Sequence, residues 1–276
     1  MLDIILDTLI DCLKLLPFLF IAFLIMEYFE HKIKSKSKKK IEKAGKFGPL
    51  FGGLLGAIPQ CGFSVLATNL YATRIITIGT LISIYLSTSD EMLLILISEK
   101  VDTSIIVKIL LFKVVIGILA GFVIDLIIRK KKDDKVVKEF CKHSHCDCEH
   151  SLLKSTIKHT LNIFIFLFIT SLILHLGMHY FGEEIIEKIL LKESIFGPFI
   201  SSLIGLIPNC ASSVILTKLY VTGIITLPSL ISGLLTGSGV AILVLFKINK
   251  NIKENISILL TLYLIGSITG VILSLF

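Results

Sequence analysis

The chain has 276 residues, of which 54% are hydrophobic and only 18% are charged, and its mean hydropathy is +0.89. Soluble domains carry roughly 25% charged residues, so this composition excludes a soluble globular protein and predicts an all-α polytopic membrane protein. The net charge of +7 lies mostly in connections between apolar segments. Lys and Arg in such connections mark the cytoplasmic side of a membrane, so the charge does not indicate nucleic-acid binding.

The first predicted elements are a span at 8–30, a lysine-rich connection at 31–46 and a segment rich in Pro, Gly and Cys at 47–73. A helix from Phe47 to Pro59 rises about 18 Å, which reaches only the middle of a hydrocarbon core of about 30 Å. Pro59 lacks a backbone N–H, so a break is expected near Gln60 and Cys61. The chain could then either cross the membrane or fold back as a re-entrant hairpin.

Two more predicted spans follow, at 75–98 and 105–128. The earlier one contains Ser87-Thr88-Ser89-Asp90-Glu91 inside an apolar run, which predicts a mid-span break. Acids within a span are costly unless they face a cavity or a partner, so Asp90 and Glu91 are candidates for binding a cation or a proton. The alternative is a structural ion pair with Lys113 or Arg74.

The connecting loop at 129–156 concentrates thiols and imidazoles. Within ten positions it contains Cys141, His143, His145, Cys146, Cys148 and His150. These side chains are ligands for soft or borderline metals such as Zn²⁺ and Cu⁺, although their spacing does not match a zinc finger. The loop could bind a transition-metal ion for sensing, capture or buffering, or it could be a solvated loop with chance clustering. No cofactor is predicted to be required.

The second half repeats the first. Phe47-Gly48-Pro49 recurs as Phe196-Gly197-Pro198, and Ile58-Pro59-Gln60-Cys61 recurs as Ile207-Pro208-Asn209-Cys210, in both cases 149 residues later. The same offset pairs Ser64 with Ser213, Gly117 with Gly266 and Gly121 with Gly270. Pro, Cys, Gly and Ser that match in one ungapped frame predict a duplication. We therefore divide the chain into a first repeat at 1–128, the loop at 129–156 and a second repeat at 157–276.

Charge selects the topology. If the segment at 47–73 crossed the membrane, the basic groups at 32–46 and 129–132 would lie on opposite sides, against the positive-inside rule, so we predict a re-entrant hairpin. Each repeat then has three spanning helices and one Pro/Cys hairpin, and the odd number of crossings inverts the second repeat. This predicts a multi-pass plasma-membrane protein with both termini outside and with the loops at 31–46 and 129–156 in the cytoplasm. Inverted repeats with broken helices are common in secondary transporters.

The two hairpin tips and the mid-span breaks supply the candidate substrate-binding residues. They are Gln60, Cys61, Ser64, Ser87, Ser89, Asp90, Glu91, Asn209, Cys210 and Ser213. Amides and hydroxyls offer oxygen ligands, carboxylates attract cations, and thiols bind soft metals. The alternative for Cys61 and Cys210 is packing, a common role of buried free cysteine.

These residues resemble a family of ten-transmembrane-segment heavy-metal exporters, whose members are described as arsenic efflux proteins or manganese transporters. The resemblance rests on the motifs that run from Phe47 to Ser64, from Leu86 to Met92 and from Ile207 to Ser213, and on the His/Cys loop. Two arms per hairpin give five segments per repeat and thus the ten of the family. The resemblance implies a transporter rather than an enzyme.

The leading hypothesis is a secondary transporter that exports a metal or metalloid ion across the bilayer by alternating access. An arsenite-like substrate would use the two thiols, and a divalent ion such as Mn²⁺ would use Asp90 and Glu91. The alternatives are a membrane-embedded thiol redox enzyme built on Cys61 and Cys210, and a metal sensor that uses the loop. Two copies could form a homodimer, but the sequence does not determine the oligomeric state.

Overall fold

A computed structural model describes residues 47–58, 61–89, 92–129 and 196–275, together with single positions within 9–24 and 157–172. All regular secondary structure in these ranges is helical. The first repeat contributes α1 (Gly48–Gly56), α2 (Cys61–Ala72), α3 (Ile78–Ser87), α4 (Met92–Ser98) and α5 (Thr103–Arg129). The second repeat contributes α6 (Gly197–Gly205), α7 (Cys210–Val221), α8 (Leu227–Thr236), α9 (Ala241–Ile248) and α10 (Ile252–Ser274).

The helix boundaries recur at the offset found in the sequence, because each of α6 to α10 begins 149 residues after its counterpart in α1 to α5. Both predicted kinds of interruption are present. One lies between α1 and α2 and between α6 and α7, and the other lies between α3 and α4 and between α8 and α9. The breaks therefore fall at the Pro-containing tips and at the polar stretches that the sequence marked.

Equivalent side chains begin equivalent helices. The Thr77 hydroxyl accepts a hydrogen bond from the Thr80 backbone N–H at the start of α3, and Thr226 does the same for Ser229 at the start of α8. Such an N-cap satisfies one of the backbone donors that a helix leaves unpaired at its beginning. Pro49 and Pro198 stand in the first turns of α1 and α6, where the missing N–H costs nothing.

Among the residues that the structure describes, three stretches are long and apolar enough to span a membrane, namely Thr103–Ile128, Leu227–Ile248 and Ile252–Ser274. The second stretch joins α8 and α9, and 83% of it is buried, whereas only 22% of the first and 28% of the third are buried. α5 and α10 therefore lie at the outside of the described bundle, whereas α3, α8 and α9 lie inside it. The outer faces carry apolar rows suited to lipid, among them Leu111, Val115 and Leu119 on α5.

Glycines bring the outer helices close to the inner ones. A Cβ atom at Gly117 would stand 2.8 Å from the Ser83 carbonyl oxygen, and one at Gly121 would stand 2.6 Å from the Gly79 carbonyl oxygen. Gly266 and Gly270 pack against Ser232 of α8 in the same way. Small residues are the usual means by which membrane helices approach closely, since lipid gives no hydrophobic drive to associate.

Neighbouring contacts give the directions of the helices within the first repeat. Gly48 lies against Thr80 and Gly56 lies against Ser87, so α1 and α3 run in the same direction. Gly117 faces Ser83 and Gly121 faces Gly79, so α5 runs in the opposite direction. The chain therefore enters α1 and enters α3 at the same end of the bundle, although α2 lies between them in sequence.

The two repeats interlock through reciprocal contacts. α2 of the first repeat packs against α9 of the second, and α7 of the second packs against α4 of the first. α3 and α8, which are themselves equivalent, also contact each other. Helices that flank the interruptions of one repeat therefore contact helices that flank the interruptions of the other.

Candidate functional site

The predicted site residues divide into those that the structure describes and those that lie outside the described residues. Gln60, Asp90 and Glu91 lie outside, as do all six thiol and imidazole residues of the connecting loop. Cys61 and Cys210 begin α2 and α7, but only their backbone is described. The remaining candidates, Ser64, Ser87, Ser89, Asn209 and Ser213, are all buried.

A hydrogen bond joins the end of α1 to the mid-span break of the first repeat. The Ser89 hydroxyl donates to the Ala57 carbonyl oxygen over 2.8 Å. Ala57 caps the end of α1, three residues before Gln60, and Ser89 precedes Asp90 directly. Two segments predicted to belong to one site are therefore adjacent in space.

Threonine hydroxyls bind the backbone of both helices that follow the tips. Thr68 donates to the Ser64 carbonyl oxygen and Thr217 donates to the Ser213 carbonyl oxygen, each over 2.7 Å. A side-chain hydroxyl that donates to the carbonyl four residues earlier uses its hydrogen within its own helix and can still accept a bond from elsewhere. These two threonines thus hold the backbone next to the candidate serines in the same way in the two repeats.

Tyr85 connects three helices of the two repeats at their centre. Its side chain is fully buried, and its hydroxyl lies 2.6 Å from the Thr68 hydroxyl and 3.5 Å from the Ala241 carbonyl oxygen. Thr68 belongs to α2, whereas Ala241 begins α9 directly after the second mid-span break. The break of the second repeat is therefore next to helices α2 and α3 of the first.

The second repeat presents its own polar break. Ser238, equivalent to Ser89, is 1% exposed, and its hydroxyl has no hydrogen-bond partner among the atoms that the structure describes. Ser89, by contrast, is bonded to the tip of its own repeat. Gly239 beside Ser238 has a φ of 55°, a left-handed conformation that favours glycine and turns the chain within the break before α9. A buried hydroxyl with spare capacity is suited to contact a bound ion or water.

Lys113, which the sequence indicated only as a possible ion-pair partner of Asp90 and Glu91, is a buried residue of α5. Its side chain is 1% exposed, and its ammonium group donates to the Thr88 carbonyl oxygen at the end of α3. An ionisable residue in the middle of an apolar span is by itself a signal of function. The charge of Lys113 within an apolar span was visible in the sequence, but its contact with Thr88 could be identified only from the structure.

Arg74, the other predicted partner of the acids, has its ion-pair partner elsewhere. Its guanidinium contacts Glu254 of α10, with Nη1 2.6 Å from Oε1 and Nη2 2.7 Å from Oε2. Tyr71 donates to the same carboxylate, and Asn249 donates to it over 3.3 Å. The hydrogen bond from Arg74 to Glu254 raises the pKa of Arg74 above its ordinary value.

No group of three or more His, Cys, Asp or Glu side chains comes together within the part of the chain that the structure describes. A groove of about 440 Å³ lies between α5 and α10, but it is lined almost entirely by aliphatic side chains. Such a lining offers a metal ion no ligands. The buried polar centre is therefore the better candidate for a substrate site.

A protein-family model matches the chain over residues 1–178 and 141–275, and its description is a 10TM heavy-metal exporter. The chain belongs to this family. The predicted resemblance is confirmed. Together the two matched ranges cover nearly all 276 residues of the chain. Neither a curated protein nor a solved structure matches it.

Proposed function

We propose that the protein is a secondary-active transporter that exports a heavy-metal or metalloid ion by alternating access. The observation that carries this proposal is that helix interruptions of both repeats lie close together: Ser89 bonds to the end of α1, and Tyr85 of α3 bonds to the start of α9. Broken helices at a repeat interface are where secondary transporters bind their substrates, because unpaired backbone groups there can face an ion. Membership of the exporter family gives the substrate class.

We propose that α1 and α2 form a re-entrant hairpin rather than a crossing. The contact of Gly48 with Thr80 supports this, because it brings the start of α1 to the start of α3. Asp125 near the end of α5 accepts hydrogen bonds at the same place, from the Thr77 hydroxyl over 2.6 Å and from the Gly79 N–H over 3.0 Å. A chain that enters α1 and α3 at one end must return to that end between them.

The ion pair of Arg74 with Glu254 supports the inverted orientation of the second repeat. Arg74 lies between α2 and α3, at the end where α3 starts, whereas Glu254 lies in the first turn of α10. In the first repeat, α3 and α5 start at opposite ends of the bundle. The equivalent helices of the second repeat, α8 and α10, therefore also start at opposite ends. If the repeats were parallel, the two residues would be separated by the thickness of the membrane, about 30 Å.

In this arrangement, the positions of the basic groups identify the cytoplasmic side of the membrane. The basic groups at 32–46 and 129–132 adjoin the ends of α1 and α5 that lie together, and the inverted second repeat adds Lys250 and Lys253. The positive-inside rule makes this the cytoplasmic side of a plasma membrane. The acidic connection at 180–194 and both termini then lie outside.

Within the site, we assign Gln60, Asn209 and the serine hydroxyls as oxygen ligands. Asp90 or Glu91 would take a divalent cation or a coupling proton, and Cys61 and Cys210 would bind a thiophilic species such as arsenite. Two variants separate these possibilities in reconstituted vesicles. Cys61→Ser/Cys210→Ser should abolish arsenite transport if the thiols bind it, and Asp90→Asn/Glu91→Gln should abolish Mn²⁺ transport if the carboxylates do. Unchanged transport of both substrates in both variants would contradict the site.

A further inference from the structure

One charged side chain of the centre has no counterpart in the second repeat. Lys113 stands in α5 ten residues after its first residue, about 15 Å along the helix and so at half the depth of a bilayer. Its ammonium group donates to the Thr88 carbonyl oxygen, which caps the end of α3. The end of a helix carries partial negative charge, so α3 presents this group with a favourable partner.

The equivalent position in α10 is Leu262, whose side chain is completely buried. The fold therefore accepts a leucine here and does not require a lysine. The two acids also lack counterparts, because Asp90 and Glu91 correspond to Gly239 and Val240. In the sequence, the first repeat thus carries both signs of charge at positions where the second carries neither. Buried charges in a membrane are costly, and a charge that packing does not need is retained for another reason.

We propose that Lys113 is the charge-balancing residue of the substrate site, so that a divalent cation binds there weakly enough to be released. This inference rests on the proposed function. Transport requires that an ion bind favourably enough to enter and weakly enough to leave. A positive charge on Lys113 beside the break lowers the affinity of the site for a cation, and the hydrogen bond to Thr88 holds the end of α3 in place. Lys113 is a positioning residue and contacts the helix end rather than the substrate.

The test compares Lys113→Gln and Lys113→Arg in the full-length protein, with Lys108→Gln as the matched control. Lys108 is on the same helix but exposed, so its loss should change nothing. We measure Mn²⁺ binding to the purified protein by titration calorimetry, and KM and kcat for Mn²⁺ uptake into proteoliposomes. Lys113→Gln should bind Mn²⁺ about tenfold more tightly and lower both KM and kcat, because one unit of opposing charge has been removed. Lys113→Arg should retain the affinity of the wild type.

Lys113→Leu is a second uncharged variant in case Lys113→Gln does not fold. It introduces the residue that the second repeat buries at the equivalent position, Leu262. It should show the same tighter binding as Lys113→Gln. Unchanged or weaker Mn²⁺ binding in both uncharged variants would overturn the role of Lys113. A wild-type protein that transports arsenite but binds no Mn²⁺ would overturn it too, while leaving the proposed function intact. A wild-type protein that transports no metal or metalloid would remove the proposed function itself.

Discussion

Arg74 and Glu254 form a two-point ion pair that joins the loop after α2 to the first turn of α10. The guanidinium also lies over the Tyr71 ring, 5.1 Å from its centroid. Arg74 has a φ of 59°, and its equivalent is Gly223 with a φ of 75°. A non-glycine residue in this conformation costs about 1 kcal/mol, which the ion pair offsets. By the offset of 149 residues, Arg74 corresponds to Gly223 and Glu254 corresponds to Ile105. Neither Gly223 nor Ile105 is charged, so these positions cannot form a second ion pair.

Removing either partner of this ion pair should destabilise the protein. Arg74→Gln or Glu254→Gln leaves a partly buried charge without its partner, so each should lower the free energy of unfolding by about 1 to 3 kcal/mol. Thermal denaturation of the purified protein measures the effect. Lys253→Gln is the control, because Lys253 is exposed in the same turn of α10. If Glu254→Gln denatured at the same temperature as Lys253→Gln, the ion pair would not stabilise the assembly of the repeats.

The inverted arrangement predicts which loops are accessible from outside an intact cell. In a cysteine-free background, Lys100→Cys and Thr222→Cys should react with a membrane-impermeant maleimide, whereas Lys250→Cys should react only after the membrane is opened. All three positions are exposed, so burial does not confound the comparison. Labelling of Lys100→Cys and Lys250→Cys from the same side would contradict the inverted second repeat, because these positions lie at equivalent ends of the two repeats.

Adding a methyl group where α5 meets α3, or where α10 meets α8, should reduce thermal stability more than removing side-chain atoms from the outer face of α5. Gly121→Ala and its equivalent Gly270→Ala each force a Cβ within 3 Å of a neighbouring helix, and overpacking of this kind costs about 1 to 3 kcal/mol. Leu119→Ala is the control, because that side chain is 57% exposed on the outer face of α5. Equal loss of thermal stability in all three variants would show that close approach is not what these glycines provide.

The hydroxyl of Tyr85 should contribute to both stability and transport. Tyr85→Phe removes the bond to Thr68 and the contact with the start of α9, and it should lower the free energy of unfolding by about 0.5 to 1.5 kcal/mol. Because the bond holds α2 beside the second break, we also expect slower metal uptake. Tyr263→Phe, on the half-buried face of α10, should leave both properties unchanged. A normal uptake rate in Tyr85→Phe would exclude a role of this link in transport.

Local chemistry made the helix interruptions predictable. Pro59 and its equivalent Pro208 follow a run of helical length and cannot continue that helix, and the polar run that begins at Ser87 stands out in an apolar span. The offset of 149 residues then located the same breaks a second time.

The links between the repeats could not be predicted in this way. Arg74 and Glu254 are 180 residues apart, and their pairing depends on how one repeat is placed against the other. The same is true of Tyr85 and Ala241. The repeat gives the two halves the same internal structure but contains no information about which equivalent residues meet across them. Lys113 was visible as a charge within a span, whereas its bond to the end of α3 follows from the packing of α5 against α3.

The central claim is that the protein moves a metal or metalloid ion across a membrane without nucleotide hydrolysis. The most direct measurement is uptake into proteoliposomes that contain only the purified protein, with arsenite, Mn²⁺, Zn²⁺ and Cu⁺ offered separately, with and without a pH gradient. We predict saturable uptake of at least one of them that an imposed ion gradient accelerates. No uptake of any of the four above that of protein-free liposomes would contradict the account.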